Sequence, residues 1–317
     1  MAQSIHAGAT AESKKNISAF EKLLVATDFS KASIAALSYA ENLVNLYGTE
    51  LLLAHVVSSG NMWHPELNAV IAGPEIRHAM AEDLEQLTEQ LRSRGIQARA
   101  IVSEGAVAEA LEELVQKEKP NLLVTGTHGA HGLQRLILGS TAEAILRKVS
   151  CPVLTVGPNC TNMTLKNLGL QTIVYATVLQ HPSEAALLYA ASLARALHAH
   201  VQLVHAIDEI SELPGNPLDK EVQAQSVMLA KALRGSDSKV SVHRVYGEPV
   251  EAIIRRVIAT RADVIVLGAE RGRKLSSFMP AGVAYGLIRS APCPVITFKG
   301  EELYHPGRQA YRGTAYG

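Results

Sequence analysis

The chain has 317 residues, 47% of them hydrophobic and 19% charged, a length for two domains and the composition of an ordinary globular protein. Lys plus Arg and Asp plus Glu both total 30, so no overall charge field favours nucleic acid or a membrane surface. The three cysteines, Cys151, Cys160 and Cys293, form no C-x-x-C, which indicates neither a disulfide framework nor a zinc site.

Residues 1–18 read as a polar, flexible N-terminal arm without the apolar stretch of a secretory leader. No apolar run reaches the roughly 20 residues of a membrane span, so a cytoplasmic protein is expected. Leu23–Ala26 is a short apolar strand ending at Asp28. Ser33–Leu46 places Ile34, Leu37, Ala40, Leu43 and Val44 on one helical face, with Ser30 to cap its start and Gly48 its end. Leu51–Val57 is a second strand. The stretch around Trp63 that follows reads as a nucleotide cover or as plain surface. Glu75–Arg94, Val107–Lys117 and Ser140–Val149 are further helices, and Ala98–Val102, Leu122–Gly126 and Val153–Val156 further strands. Several strands are continuous apolar runs, as in a parallel sheet covered on both faces.

The pattern then repeats. Ala36, Leu37, Tyr39, Ala40, Leu53 and His55 recur 150 positions on, and the block from Glu104 to Gly126 recurs 142 positions on. Eight residues are therefore lost from the second copy between those blocks. The chain reads as two tandem α/β units at 19–157 and 169–299, joined by a linker at 158–168 and followed by a tail at 300–317. Each unit is an open doubly wound parallel sheet of five strands, whose ligand site lies beyond the carboxyl ends of the strands. Cys151 and Cys293 each precede a strand and read as small buried residues.

At that site the first copy carries Gly126, Gly129 and Gly139, followed by Ser140 and Thr141. A strand ends at Gly126 and a helix begins at Ser140. The free amides and partial positive charge of a helix start attract phosphate. Gly139 is expected to let the backbone approach an anion and to take left-handed angles, and Gly126 and Gly129 to free the other side. Turn formation alone is the plain alternative for such glycines. His128 and His131 read as loop support or a phosphate neighbour rather than as metal ligands. No G-x-x-x-x-G-K-[ST], G-x-G-x-x-G or H-E-x-x-H is present.

Asp28, the strand end His55-Val56 and the spacing G-x2-G-x9-G-S together resemble the universal stress protein family over both copies. The resemblance implies a Rossmann-like strand order 3-2-1-4-5 and pairing of the two units through their last strands as a pseudo-dimer, with a further homodimer left open. It implies ATP in the first copy, with Ala26 and Thr27 at the adenine end and Val56 meeting adenine by its backbone. Asp28 would lie near ribose and phosphates, directly or through Mg. Gly126, Thr127, His128, Gly129, Gly139, Ser140 and Thr141 would hold ribose and phosphates. The second copy departs: Thr177 or Val178 stands in place of Asp28, and Arg271, Ala281 and Gly282 in place of Gly129, Gly139 and Ser140. It is expected to lack this site and to serve as a built-in dimerisation partner. Its Arg271, Arg273 and Lys274 read as a solvated loop or as a different anion site. Slow ATP hydrolysis, or phosphoryl or nucleotidyl transfer, is a second reading. An interaction scaffold without nucleotide is a third.

Overall fold

The computed structural model describes residues 20–57, 62–64, 69–71, 73–127, 138–160, 169–177, 183–207, 217–269 and 281–299. The first copy runs β1 (Lys22–Ala26), α1 (Lys31–Tyr47), β2 (Glu50–Val57), β3 (Met62–His64), β4 (Ala69–Ile71), α2 (Gly73–Ser93), β5 (Ala98–Glu104), α3 (Val107–Glu118), β6 (Leu122–Gly126), α4 (Ser140–Lys148) and β7 (Val153–Val156). The second runs β8 (Thr172–Thr177), α5 (Glu184–Leu197), β9 (His200–Ile207), α6 (Pro217–Ala232), β10 (Val240–Tyr246), α7 (Pro249–Thr260), β11 (Val264–Ala269), α8 (Ala281–Ser290) and β12 (Val295–Lys299). Among the described residues no helix is long and apolar enough to cross a membrane.

Ten strands form one sheet in the order β10-β9-β8-β11-β12-β7-β6-β1-β2-β5. Each copy thus has the strand order 3-2-1-4-5, with parallel pairing inside it. The two copies join by antiparallel pairing of β12 with β7, in which Leu154 faces its own counterpart Ile296. A pseudo-two-fold axis passes there, so the contact has the self-complementary character of a dimer interface. The eight residues present only in copy one fall between β2 and β5, where β3 and β4 form an antiparallel hairpin.

Because the axis is perpendicular to the sheet, α1, α2, α5 and α6 share one face. Their core is continuous: Phe20, Leu43 and Leu154 belong to one buried cluster with Ile173, Val201 and Ile296. On the opposite face the core is divided. One cluster lies under α3 and α4 and another under α7 and α8, and Leu146 packs against both. The segment after β7 locks the two copies together. A Cβ on Gly157 would collide with the carbonyl oxygen of Ile288, and Asn159 Nδ2 donates to the Arg289 carbonyl at 3.1 Å, closing the end of α8.

Helix α1 starts at Ser30, whose hydroxyl accepts from Ser33 N, and stops at Gly48 with φ 65°. Its buried stripe keeps Leu37, Ala40, Leu43 and Val44, adds Ala36 and Tyr39, and departs from the expected one in the first turn. Ile34 is exposed, and Ser33 takes its place on the inner face at 5% exposure. Ile34 lies at the rim of the apolar arc in the first turn, and Ser33 is tied into the hydrogen bonds described below. Cys151 and Cys293 are buried as expected. Burial pushes the Cys151 thiol up to about 12 and that of Cys160 to about 11, which makes them poor nucleophiles.

Candidate functional site

The first copy's strands β1 and β6 are neighbours whose following helices lie on opposite faces of the sheet. The mouth between their carboxyl ends is the topological switch point. On the β1 side, Thr27 N donates to the Ala54 carbonyl at 2.9 Å and carries the strand pairing one residue past Ala26. The buried Thr27 hydroxyl lies 3.1 Å from Ser33 Oγ and accepts from Phe29 N at 3.1 Å. Asp28 is exposed at the mouth. Its Oδ1 accepts from Ser30 N at 3.0 Å, an Asx turn that leads into the Ser30 cap.

Between them Phe29 has φ 60°, a left-handed backbone that costs a bulky residue on the order of 1–2 kcal/mol. The strain is held by the hydrogen bonds on either side and by the Phe29 ring, which stacks at a tilt 5.0 Å from the His55 ring. His55 Nδ1 is 2.8 Å from the Thr27 carbonyl. A carbonyl only accepts, so Nδ1 donates and Nε2 is the acceptor in the neutral ring. The turn is therefore braced from four sides, and the Asp28 carboxylate is its outward group. Ser30 was expected only as the cap of α1, and the parts played by Ser33 and Phe29 were not singled out in the sequence. The short repeat of hydroxyls at Thr27, Ser30 and Ser33 was the signal that marks them.

On the opposite side, Gly139 N donates to the Thr127 carbonyl at 3.0 Å and closes the ends of the glycine loop on each other. Gly139 is the N-cap of α4, and Ser140 and Thr141 are exposed in its first turn. The expected left-handed angles are absent: Gly139 has φ −63° and ψ 148°, the extended conformation usual for an N-cap. Any residue adopts it, so what Gly139 supplies is the absence of a side chain. Gly126 has a different reason. A Cβ there would stand 2.6 Å from both the carbonyl carbon and oxygen of Ala32. The glycine lets β6 end directly against the first turn of α1, which draws the two sides of the mouth together. His128 and Gly129 lie outside the described residues.

Val56 completes the mouth. Residues along a strand direct their backbone groups alternately to the two neighbours. Ala54 O accepts from β1 through Thr27 N, and Val57 O accepts from Gly105 N beyond β5. Val56 therefore turns its N–H and C=O toward β1, whose register with β2 stops at Ala26 opposite Ala54. An unstacked planar edge placed beyond the end of β1 meets one donor and one acceptor there.

The family model described as the universal stress protein family matches residues 19–157 and again 169–299. The chain belongs to the universal stress protein family. A universal stress protein of Methanocaldococcus jannaschii is 30% identical over 139 residues, which is 43% of this chain and 82% of that relative. One from Mycolicibacterium smegmatis is 22% identical over 294 residues and covers both copies, 87% of this chain and 96% of its own length. Among solved structures, a universal stress protein from Archaeoglobus fulgidus has the same fold with a TM-score of 0.67 at 19% identity, over 88% of this chain and 98% of that one.

The two universal stress protein units of this chain do not have equivalent mouths. In the first unit His55 and Val56 are half-buried. In the second, their counterparts His205 and Ala206 are covered, at 3% and 0% exposure, and so is Thr177 at 3%. The stretch holding Arg271, Arg273 and Lys274 lies outside the described residues, as does Val178. Of the expected site residues, Ala26, Thr27, Asp28, Val56, Gly126, Thr127, Gly139, Ser140 and Thr141 converge on one mouth, formed by the ends of β1, β2 and β6 and the start of α4.

Proposed function

We propose that the first unit binds ATP and that the second is its permanently attached partner. The observation that carries this reading is the opening of α4 at Gly139–Thr141, beside the ends of β1 and β6. Its first backbone amides precede any intrahelical acceptor, and two exposed hydroxyls flank them. Val56 supports an adenine at the far end of the same mouth, through the donor and acceptor directed past β1. Asp28 lies between, suited to ribose hydroxyls or to magnesium. That donor set fits the ion: magnesium commonly takes one or two carboxylates and completes its shell with phosphate oxygens and water. Bound there, it would neutralise phosphate charge. Asp28 would be its protein ligand, and the Asx bond to Ser30 N would hold the carboxylate in place.

The reading is one of binding rather than rapid turnover. Phosphoryl transfer asks for a charge clamp and an oriented nucleophile besides the metal, and the described mouth offers one carboxylate and several hydroxyls. A bound ligand stabilises the folded unit by mass action, about 2.7 kcal/mol at a free concentration of 100 times Kd. The test is a thermal-shift and calorimetric titration with ATP, ADP and AMP, alongside a variant that carries the second unit's residues, Gly129→Arg with Gly139→Ala. Gly139 has ordinary angles, so its alanine brings no backbone strain. ATP should raise the melting temperature of the wild type and leave the variant unmoved. An equal shift in both proteins would place the nucleotide elsewhere. No shift at millimolar ATP would favour an interaction scaffold, and phosphate release well above the variant's would favour an enzyme.

A further inference from the structure

We infer that the second unit does more than pair with the first: through Leu138 it positions the anion-facing end of α4, so that nucleotide occupancy and the packing of the two units form one equilibrium. The inference rests on the ATP reading above. Leu138 directly precedes Gly139, the N-cap of α4. Its half-buried side chain packs against a cluster built entirely from the second unit, which includes Val283, Leu287 and Ile288 of α8. Leu146, near the other end of α4, packs against that cluster and the first unit's own.

A helix of nine residues is only about 13 Å long. It is held at both ends by the other unit. At its start, Leu138, which packs against the second unit's cluster, is bonded directly to Gly139, whose N–H closes the glycine loop on the Thr127 carbonyl. A shift of that cluster, to which α8 contributes Val283, Leu287 and Ile288, therefore reaches the amides of Gly139–Thr141 through one side chain and one backbone bond. The far side of the interface is similarly close-fitting, since Gly157 lies against Ile288 O and Asn159 closes the end of α8. Coupling of this kind is reciprocal: whatever α8 does for nucleotide affinity, the nucleotide does for the packing of α8.

The experiment compares Leu138→Ala, Leu138→Met and Leu146→Ala in the full chain. ATP affinity is measured by calorimetry, and amide hydrogen exchange with and without ATP. Leu138→Ala should weaken ATP binding by at least about fivefold, the lower end of usual coupling between sites, and Leu138→Met should restore it. Leu146→Ala removes an interface contact two turns from the amides. It should lower the melting temperature at least as much while keeping the wild-type affinity. In the wild type ATP should slow exchange across Ala281–Ser290, and in Leu138→Ala that protection should vanish. Wild-type affinity in Leu138→Ala, or affinity losses that simply follow stability in both alanine variants, would overturn the inference. If the wild type itself binds no ATP, the functional reading fails separately. The positioning claim is then decided by the ligand-free proteins: faster exchange at Gly139–Glu143 in Leu138→Ala upholds it, and unchanged exchange refutes it.

Discussion

Gly126→Ala separates two reasons for a glycine at the mouth. If Gly126 serves only to leave space for an anion, an alanine there weakens nucleotide binding and leaves the ligand-free fold intact. The geometry predicts otherwise. The new Cβ would lie 2.6 Å from the carbonyl carbon and oxygen of Ala32, about 0.8 Å inside the closest ordinary contact. Both atoms are backbone, so no side chain can swing aside, and β6 or the first turn of α1 must move. Overpacking of this kind costs about 1–3 kcal/mol. In a domain of 150–250 residues each kcal/mol lowers the melting temperature by about 2–4 °C. Urea and thermal unfolding of the ligand-free variant should therefore show a clear loss. Hydrogen exchange should concentrate the loosening at Asp28–Ser33 and at the end of β6, the two backbone segments that the clash presses apart. Wild-type stability with nucleotide binding abolished would refute the packing argument and return Gly126 to a purely ligand-facing role.

The remaining predictions concern the braced turn and the flank of the second unit. Ser30→Ala removes the cap hydroxyl that accepts from Ser33 N and should cost about 0.5–2 kcal/mol in chemical denaturation. Asp28→Asn keeps the acceptor for Ser30 N, so stability should stay within about 0.5 kcal/mol of wild type. Any magnesium dependence of ATP affinity should disappear, and a dependence that survives would place the ion elsewhere. His200 and His243 are both held below the ordinary imidazole value by burial first and then by Arg256, with Lys239 adding to the effect at His200 and His200 at His243. The unfolded chain thus binds more protons than the native one below the unfolded value of 6.5. Their contribution to stability is constant above that pH and is lost as acid takes the protein down through the depressed folded values. His243→Leu should flatten the decline measured by urea unfolding between about pH 7.5 and 5; an unchanged slope would locate the sensitivity in other groups.

Much of the scaffold was legible because it follows from local rules. The Ser30 cap and the Gly48 stop bracket α1 as the residue types require, and α3 begins at Val107 and α4 at Ser140 where the apolar spacing places them. The hairpin β3–β4 was not, since strands of three residues are too short to show a period. The reasons for the glycines were hidden for a different cause. Gly126 answers to Ala32, far away in sequence, and Gly157 to Ile288 in the other unit; spacing alone could not tell close approach from ligand space. Phe29 in a left-handed turn runs against its own preference and is sustained by Thr27, Asp28 and His55 together. The expected convergence of Asp28, Val56 and Gly139 was legible through the strand-end rule, whereas the backbone direction of Val56 needed the register of β1 against β2.

The same comparison explains why the second unit depends on the first. Under α3 the first unit stacks Leu52, Ile101 and Leu114 against the sheet. The corresponding positions of the second unit are Gln202, His243 and Arg256, with Ser241 and His200 beside them. They form a polar chain: Arg256 Nε donates to Gln202 Oε1 at 2.9 Å and Arg256 Nη2 lies 2.7 Å from His243 Nε2. Ser241 Oγ is 2.8 Å from both His243 Nε2 and His200 Nε2. The guanidinium can only donate, so His243 Nε2 accepts and the ring is neutral in this arrangement. Two buried leucines, each worth roughly 1.5–3 kcal/mol when fully buried, and the half-buried Ile101 are thus matched, at the corresponding positions, by hydrogen bonds of about 1 kcal/mol net apiece. The second unit is correspondingly weaker on that flank. On the other face its Ile173, Val201, Val264 and Ile296 share one core with Phe20, Leu43 and Leu154. Separating the units would open that shared core as well as the β7–β12 pairing. The association is therefore part of the fold itself, and a ligand that steadies the first unit also steadies the surface on which the second is built.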